Sequence, residues 1–91
     1  MFVVVCYDIA DNKRRNKAYK TLEAFGSHAQ ESVFECDITP KQLQKLRERL
    51  KAVIKEKEDC LRYYILCEEC VRRIEVVGLG VVEKTKEFYL V

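Results

Sequence analysis

The sequence predicts an α+β domain in which two helices lie on one face of an antiparallel sheet. Three observations carry that expectation. Strand-like runs and helix-like stripes follow one another in the order strand, helix, strand, strand, helix, strand. The first run, residues 2–9, is apolar at both parities, as in a strand buried on both faces. The second helix opens on Thr39-Pro40-Lys41-Gln42, where Thr39 caps, Pro40 takes the first helical position and Gln42 completes a capping box.

In the first strand Phe2, Val4 and Cys6 alternate with Val3, Val5 and Tyr7. Asp8 stands at its C-terminal end, followed by Asp11-Asn12 and the basic run Lys13-Arg14-Arg15-Asn16-Lys17. A carboxylate on a rigid strand end beside a cluster of cations suits a metal ion and a phosphate. The plain alternative is a carboxylate that only ends the strand and a basic run that is a solvated helix face. Asp11 or Asn12 caps a helix running to about residue 25. Ala18, Tyr19, Leu22 and Phe25 share its apolar face, with Lys13, Lys17, Lys20 and Ala24 opposite. Arg15 falls with the apolar face in the first turn, so it is the basic residue expected to reach the end of the first strand. The lysines are expected in solvent, and Gly26 is expected to stop the helix.

Residues 27–38 read as strand, with Val33, Glu35 and Asp37 facing opposite to Phe34, Cys36 and Ile38. The more polar stretch 28–32 is readable as a separate short strand joined by a tight turn. After the capped start, Leu43, Leu46, Leu50, Val53 and Ile54 form a helical stripe; Lys45, Arg49 and Lys55 lie away from it and Arg47 flanks it. Residues 55–59 are a charged loop, and 60–66 a strand with Tyr63 and Tyr64 on opposite faces. A polar turn or single helical turn at 67–73 is followed by a short strand at 74–77, broken by Gly78-Leu79-Gly80. Val81-Val82 and residues 87–91 form an extended apolar tail. The order is the βαββαβ pattern of the ferredoxin-like fold, which leaves one sheet face bare. The sheet of a second protomer is the expected cover, and the tail 81–91 is expected to add a strand to the partner's sheet edge.

The 91 residues make one small domain, 1–91, with no internal repeat. Charged residues at 35% exceed the usual ~25%, but a net charge of +2 does not by itself indicate a nucleic-acid partner; the placement of the charge decides that. Met1 leads into a strand without a basic leader or cleavage site, and no apolar run approaches the ~20 residues that span a membrane, so a cytoplasmic protein with no membrane partner is expected. Five scattered cysteines fit free thiols better than a disulfide framework. Cys67-Glu68-Glu69-Cys70 has the spacing of half a zinc site, but no second pair matches it, so unligated thiols in a polar turn are expected. A small cysteine-based metal or redox domain is the reading that this spacing alone supports. His28, the one histidine, reads as a surface residue at a strand start ahead of a proton shuttle. Phe34 reads as core or dimer interface ahead of a base-stacking platform. Arg14, Arg15, Lys17, Lys41, Lys45, Arg49, Arg72 and Arg73 make either a phosphate track or, with the interspersed Glu48, Glu56, Glu58 and Asp59, a mixed soluble surface.

Tyr7-Asp8-Ile9, the run 11–17 and Gln30-Glu31-Ser32-Val33-Phe34-Glu35 together resemble one family over nearly the whole chain. It is the small CRISPR-associated protein of the spacer-acquisition module, the second core Cas protein. The resemblance implies a ferredoxin-like homodimer with exchanged tail strands. It implies a metal-dependent endonuclease, using Mg2+ or Mn2+, that acts on RNA or double-stranded DNA. It also implies a DNA-bridging role with the CRISPR integrase, the first core Cas protein, for which the nuclease carboxylate is dispensable in some systems. By position, Asp8 matches the metal-binding carboxylate, Tyr7 the residue before it, Arg15 a basic position implicated in activity and Phe34 an aromatic one. Arg14, Arg15 and Lys17 are the expected nucleic-acid contacts. Lys17 stands where some members carry arginine and His28 lies near such a position; a lysine does not make the bidentate phosphate contact of an arginine.

Overall fold

The structure is a computed structural model and describes residues 1–79. Its elements are β1 (Phe2–Asp8), α1 (Asn12–Glu23), β2 (Ser27–Gln30), β3 (Val33–Asp37), α2 (Pro40–Val53), β4 (Cys60–Leu66) and the short α3 (Glu68–Arg72). The strands form one antiparallel sheet in the order β2-β3-β1-β4, with β1 hydrogen-bonded along both edges. This is the ferredoxin-like arrangement that the element order predicts. β2 and β3 are two strands joined at Glu31-Ser32, and Ser32 takes the left-handed conformation (φ 63°) that so tight a turn requires.

The side-chain period of two divides β1 between two environments. Val3, Val5 and Tyr7 enter the main core with Phe34 and Cys36 of β3, Ala18 and Leu22 of α1, and Leu43, Leu46 and Leu50 of α2. Phe2, Val4, Cys6 and Asp8 face the other way. On that side α3 covers only one end, where Val71 closes over Phe2 with Val4, Leu66 and Ile74 around them. Tyr64 on the same face stays 46% exposed, while Tyr63 on the opposite face packs under α2.

Both helix starts follow the residue chemistry. The Asp11 carboxylate accepts from the Arg14 amide at 3.0 Å, so Asp11 rather than Asn12 is the cap of α1. At α2 the Thr39 hydroxyl accepts from the Gln42 amide at 3.1 Å, and the Thr39 amide donates to the Gln42 side chain at 2.9 Å. Three expectations need correction. First, α1 ends at Glu23, because the Phe25 and Gly26 amides both turn back to the Leu22 carbonyl. Second, residues 74–77 form no strand, and Ile74 is used against Phe2 instead of in a ladder; the single helical turn expected within 67–73 is α3. Third, Gly26 is needed for close approach to β3 rather than as a left-handed cap. A Cβ there would lie 2.3 Å from the Glu35 carbonyl oxygen and 2.6 Å from the Cys36 sulfur. The tail strand expected at 81–91 lies outside the described residues.

Gly26→Ala should therefore destabilise the protein by about 1–3 kcal/mol, the usual range for overpacking a tight site. Urea unfolding of the two proteins measures it, and an unchanged midpoint would show that β3 moves aside at no cost.

Candidate functional site

The candidate site lies where β1 ends and α1 begins. Pairing of Asp8 with Cys60 of β4 continues the ladder to the last residue of β1, so the Asp8 backbone is held while its side chain is exposed. The Asp8 carboxylate makes no hydrogen bond or ion pair among the described residues. Tyr7 points the opposite way, into the core. Its amide donates to the Ser32 carbonyl at 3.1 Å, tying the β2–β3 turn to the strand end. Burial pushes the Tyr7 phenol up, with Tyr19 adding to the shift and Arg15 opposing it.

The basic run separates into three roles. Arg14 is not a free cation. Its Nε and Nη2 donate to the two carboxylate oxygens of Asp59 at 2.8 and 3.1 Å, and Glu58 lies 3.5 Å away. The Asp59 side chain is fully buried and also accepts from the Lys55 amide at 2.9 Å. These donors, the Arg14 side chain first, hold the Asp59 carboxyl at about 2, well below its usual range. Arg15 reaches back along the strand end, as its place on the apolar face predicts. Its Nη1 donates to the Ile9 carbonyl at 2.9 Å, and its Nη2 donates to the Asn12 side chain. Lys17 is exposed.

Phe34 is fully buried, with Tyr19 edge-on at 5.2 Å between ring centroids and His28 at 5.1 Å. It supports the site from below and presents no face to a nucleobase. Above it, Tyr7, Arg15, Asn16, His28 and Glu31 border a hollow of about 210 Å³. A larger hollow of about 460 Å³ lies between α2 and β4, where Arg47 covers the Tyr63 ring at 5.8 Å. The smaller one is the better candidate, because it holds a guanidinium next to the strand end that carries Asp8.

The wider set of cations does not form one track. Arg72 and Arg73 pair with Glu68 and Glu69 of their own helix, and Arg49 lies over Phe25 at 5.5 Å. No group of three or more His, Cys, Asp or Glu residues among the described residues is arranged to hold a metal ion. Asp59 escaped the sequence reading. It follows Lys55-Glu56-Lys57-Glu58, and nothing in that charged run separates the one buried acid from its exposed neighbours.

Fold and site together define a small ferredoxin-like α+β protein with an exposed carboxylate and a fixed guanidinium at the end of its central strand. The family model for the CRISPR associated protein Cas2 matches residues 1–74, and the chain belongs to that family. A Chloroflexus aurantiacus protein named CRISPR-associated endoribonuclease Cas2 1 is 42% identical over 88 residues, covering 96% of this chain and 95% of that one. The crystal structure of Streptococcus pyogenes Cas2 matches with a TM-score of 0.77 at 36% identity, covering 86% of this chain and all of the other. A Thermus thermophilus protein described only as hypothetical matches with a TM-score of 0.79 at 34% identity, covering 89% and 94% of the two chains.

The Arg14–Asp59 pair makes stability depend on acid pH. Because the folded Asp59 value is depressed, its contribution is complete above the ordinary value of 3.8 and is lost as pH falls toward about 2. Asp59→Asn should lower the thermal midpoint at neutral pH, since Arg14 loses its counter-charge, and should flatten the decline below pH 4 (about the ordinary carboxylate range). Melting curves across that window check both signs; parallel curves for wild type and variant would assign the acid response to other carboxylates.

Proposed function

We propose that this chain is an endonuclease of CRISPR spacer acquisition that uses magnesium or manganese and works as a homodimer in the cytoplasm. In the same role it bridges DNA beside the integrase. The observation that carries the reading is Asp8: an exposed, unpaired carboxylate on a strand end held by the β4 ladder, one residue from the carbonyl that anchors Arg15. The name endoribonuclease, borne by the Chloroflexus relative, supports RNA as the first substrate to test, with double-stranded DNA the second.

The residues present suit a weakly held, hard cation. Magnesium keeps several waters and commonly takes one or two carboxylates together with substrate phosphates, so it needs no cage of three protein ligands. Asp8 supplies one carboxylate. The sheet face on which it stands carries half-buried Cys6 and exposed Tyr64 outside the patch that α3 covers, which supports a second copy packing there and bringing a second Asp8. When bound, the metal would orient water and neutralise charge developing on the phosphodiester.

The chain's own residues hold the substrate. An arginine has five N–H donors, and Arg15 commits only part of its fork to Ile9 and Asn12, leaving donors for a phosphate oxygen. Lys17 adds a point charge on the solvent side of the same helix. Tyr7 keeps its proton at neutral pH, because burial raises its value, so it serves as a donor and packing group rather than a base. Arg14 steadies the loop and is not assigned a phosphate.

Asp8→Asn preserves the shape of the side chain and removes its charge. The variant should remain folded, bind RNA as wild type does and lose magnesium-dependent cleavage. Cleavage at the wild-type rate by the highly purified variant would sink the metal assignment. A wild type that never cleaves but holds duplex DNA beside an integrase would leave bridging as the whole function.

Lys17→Ala should weaken binding to unrelated sequences alike and reduce the salt slope by about one, as expected for one lost phosphate contact. Arg15→Ala should do the same and also impair cleavage. Fluorescence titrations across a salt series measure the slopes, and unchanged slopes would place the nucleic-acid surface elsewhere.

A further inference from the structure

Cys67 and Cys70 play no part in the site above. Cys67 is the residue that starts α3, with extended backbone (φ −76°, ψ 167°), and Cys70 lies three positions on within the helix. Both thiols are free and exposed. Side chains three apart on a helical turn are neighbours, with Cβ atoms ~5–6 Å apart. A disulfide needs ~3.5–4.5 Å, an adjustment small enough for the non-helical Cys67 to supply by rotation about its own backbone.

The other cysteines are poorly placed to compete. Cys36 is buried in the main core, and its thiol is pushed up to about 11 by burial. Cys60 begins β4, and at ~3.3 Å per residue the strand sets it roughly 20 Å from Cys67. Cys6 pairs with Arg62 on the same distant half of β4.

The two thiols are also unlike each other. The Cys67 sulfur makes no full capping hydrogen bond, but the Cys70 amide first and the Cys70 thiol second hold it below the usual thiol range. Cys70 is raised by the same contact. The neighbouring charges largely cancel, since Glu68 and Glu69 are paired with Arg72 and Arg73. One thiol is thus suited to attack and the other to resolve.

We propose that Cys67 and Cys70 form a reversible dithiol–disulfide pair, a redox modification site separate from the strand-end site, which takes its oxidising equivalents from a disulfide such as oxidised glutathione. The Cys67 thiolate attacks one sulfur of the oxidant; that S–S bond breaks, and one glutathione leaves as its thiolate. Cys70 then gives up its proton and attacks the Cys67 sulfur of the mixed disulfide, expelling the second glutathione. The protein loses two hydrogens, and the oxidant is reduced to two thiols. The new bond closes the first turn of α3, the element whose Val71 covers Phe2.

After treatment of the full chain with oxidised glutathione, the peptide holding Cys67 and Cys70 should lose the mass of two hydrogens, whatever forms at the exposed Cys60. The bond should map to one peptide holding both cysteines, and reduced dithiothreitol should reverse it. Cys70→Ser should stop at a glutathione adduct on Cys67. Cys67→Ser should form its adduct on Cys70 several-fold more slowly. Separate stable adducts on both cysteines of wild type, or a bond from either to another cysteine or another chain, would overturn the pair. Equal adduct rates in the two single variants would overturn the division into attacking and resolving thiols. Stoichiometric zinc in the purified protein that vanishes in the double serine variant would replace the redox site by a metal site.

Discussion

β1 is hydrogen-bonded along both edges and contacts apolar groups on both faces, and the position of every other element follows from that double constraint. Its alternate residues Val3, Val5 and Tyr7 define the layer that α1 and α2 must cover. Its opposite parity, Phe2, Val4 and Cys6, defines a second apolar surface that α3 covers only in part. Asp8 inherits both properties. The ladder to Cys60 fixes its backbone, and the period of two aims its side chain at the open face and away from the helices. A carboxylate held this way is placed with the precision of the sheet while remaining open to water and ligands.

The Arg14–Asp59 pair is the second constraint. It joins the first turn of α1 to the loop before β4, two segments that are 45 positions apart in the chain. Burying an acid is unfavourable unless its charge and lone pairs are met. Here a two-pronged guanidinium and the Lys55 amide meet them. The consequence for function is a division of labour within Arg14-Arg15-Asn16-Lys17. One cation is committed to the fold, one is anchored at the strand end with donors in reserve, and one stands in solvent. The count of positive charges in that run says little about binding; the counter-charge available to each one says much more.

The same distinction separates the two ends of the open sheet face. At the Phe2 end the chain covers itself, with Val71 and Ile74 following directly from β4. At the Asp8 end it does not, and the half-buried Cys6 lies there beside exposed Arg62 and Tyr64. The paired cysteines belong to the self-covered end. Membership of the Cas2 family accounts for the fold and leaves Cys67 and Cys70 to be explained by their own geometry.

What the sequence by itself determined is the local structure and the architecture that follows from it. Alternation in residues 2–9, the Thr39-Pro40-Lys41-Gln42 start and the leucine stripe are short-range patterns, and short-range patterns are readable from a linear string. The direction of Arg15 was legible for the same reason, since helical spacing relates it to neighbours within one turn. Tertiary structure alone decided the rest. Asp59 became a buried partner because Arg14, in the first turn of α1, meets the loop before β4, a contact with no local signature. Gly26 is favoured because a Cβ there would lie 2.3 Å from the Glu35 carbonyl oxygen of β3. Of residues 74–77, read as a strand, Ile74 was drawn instead onto Phe2, while Val76 and Val77 stay exposed. In each case the deciding interaction joins residues distant in the chain, and its energy depends on a proximity that only the folded sheet and helices create.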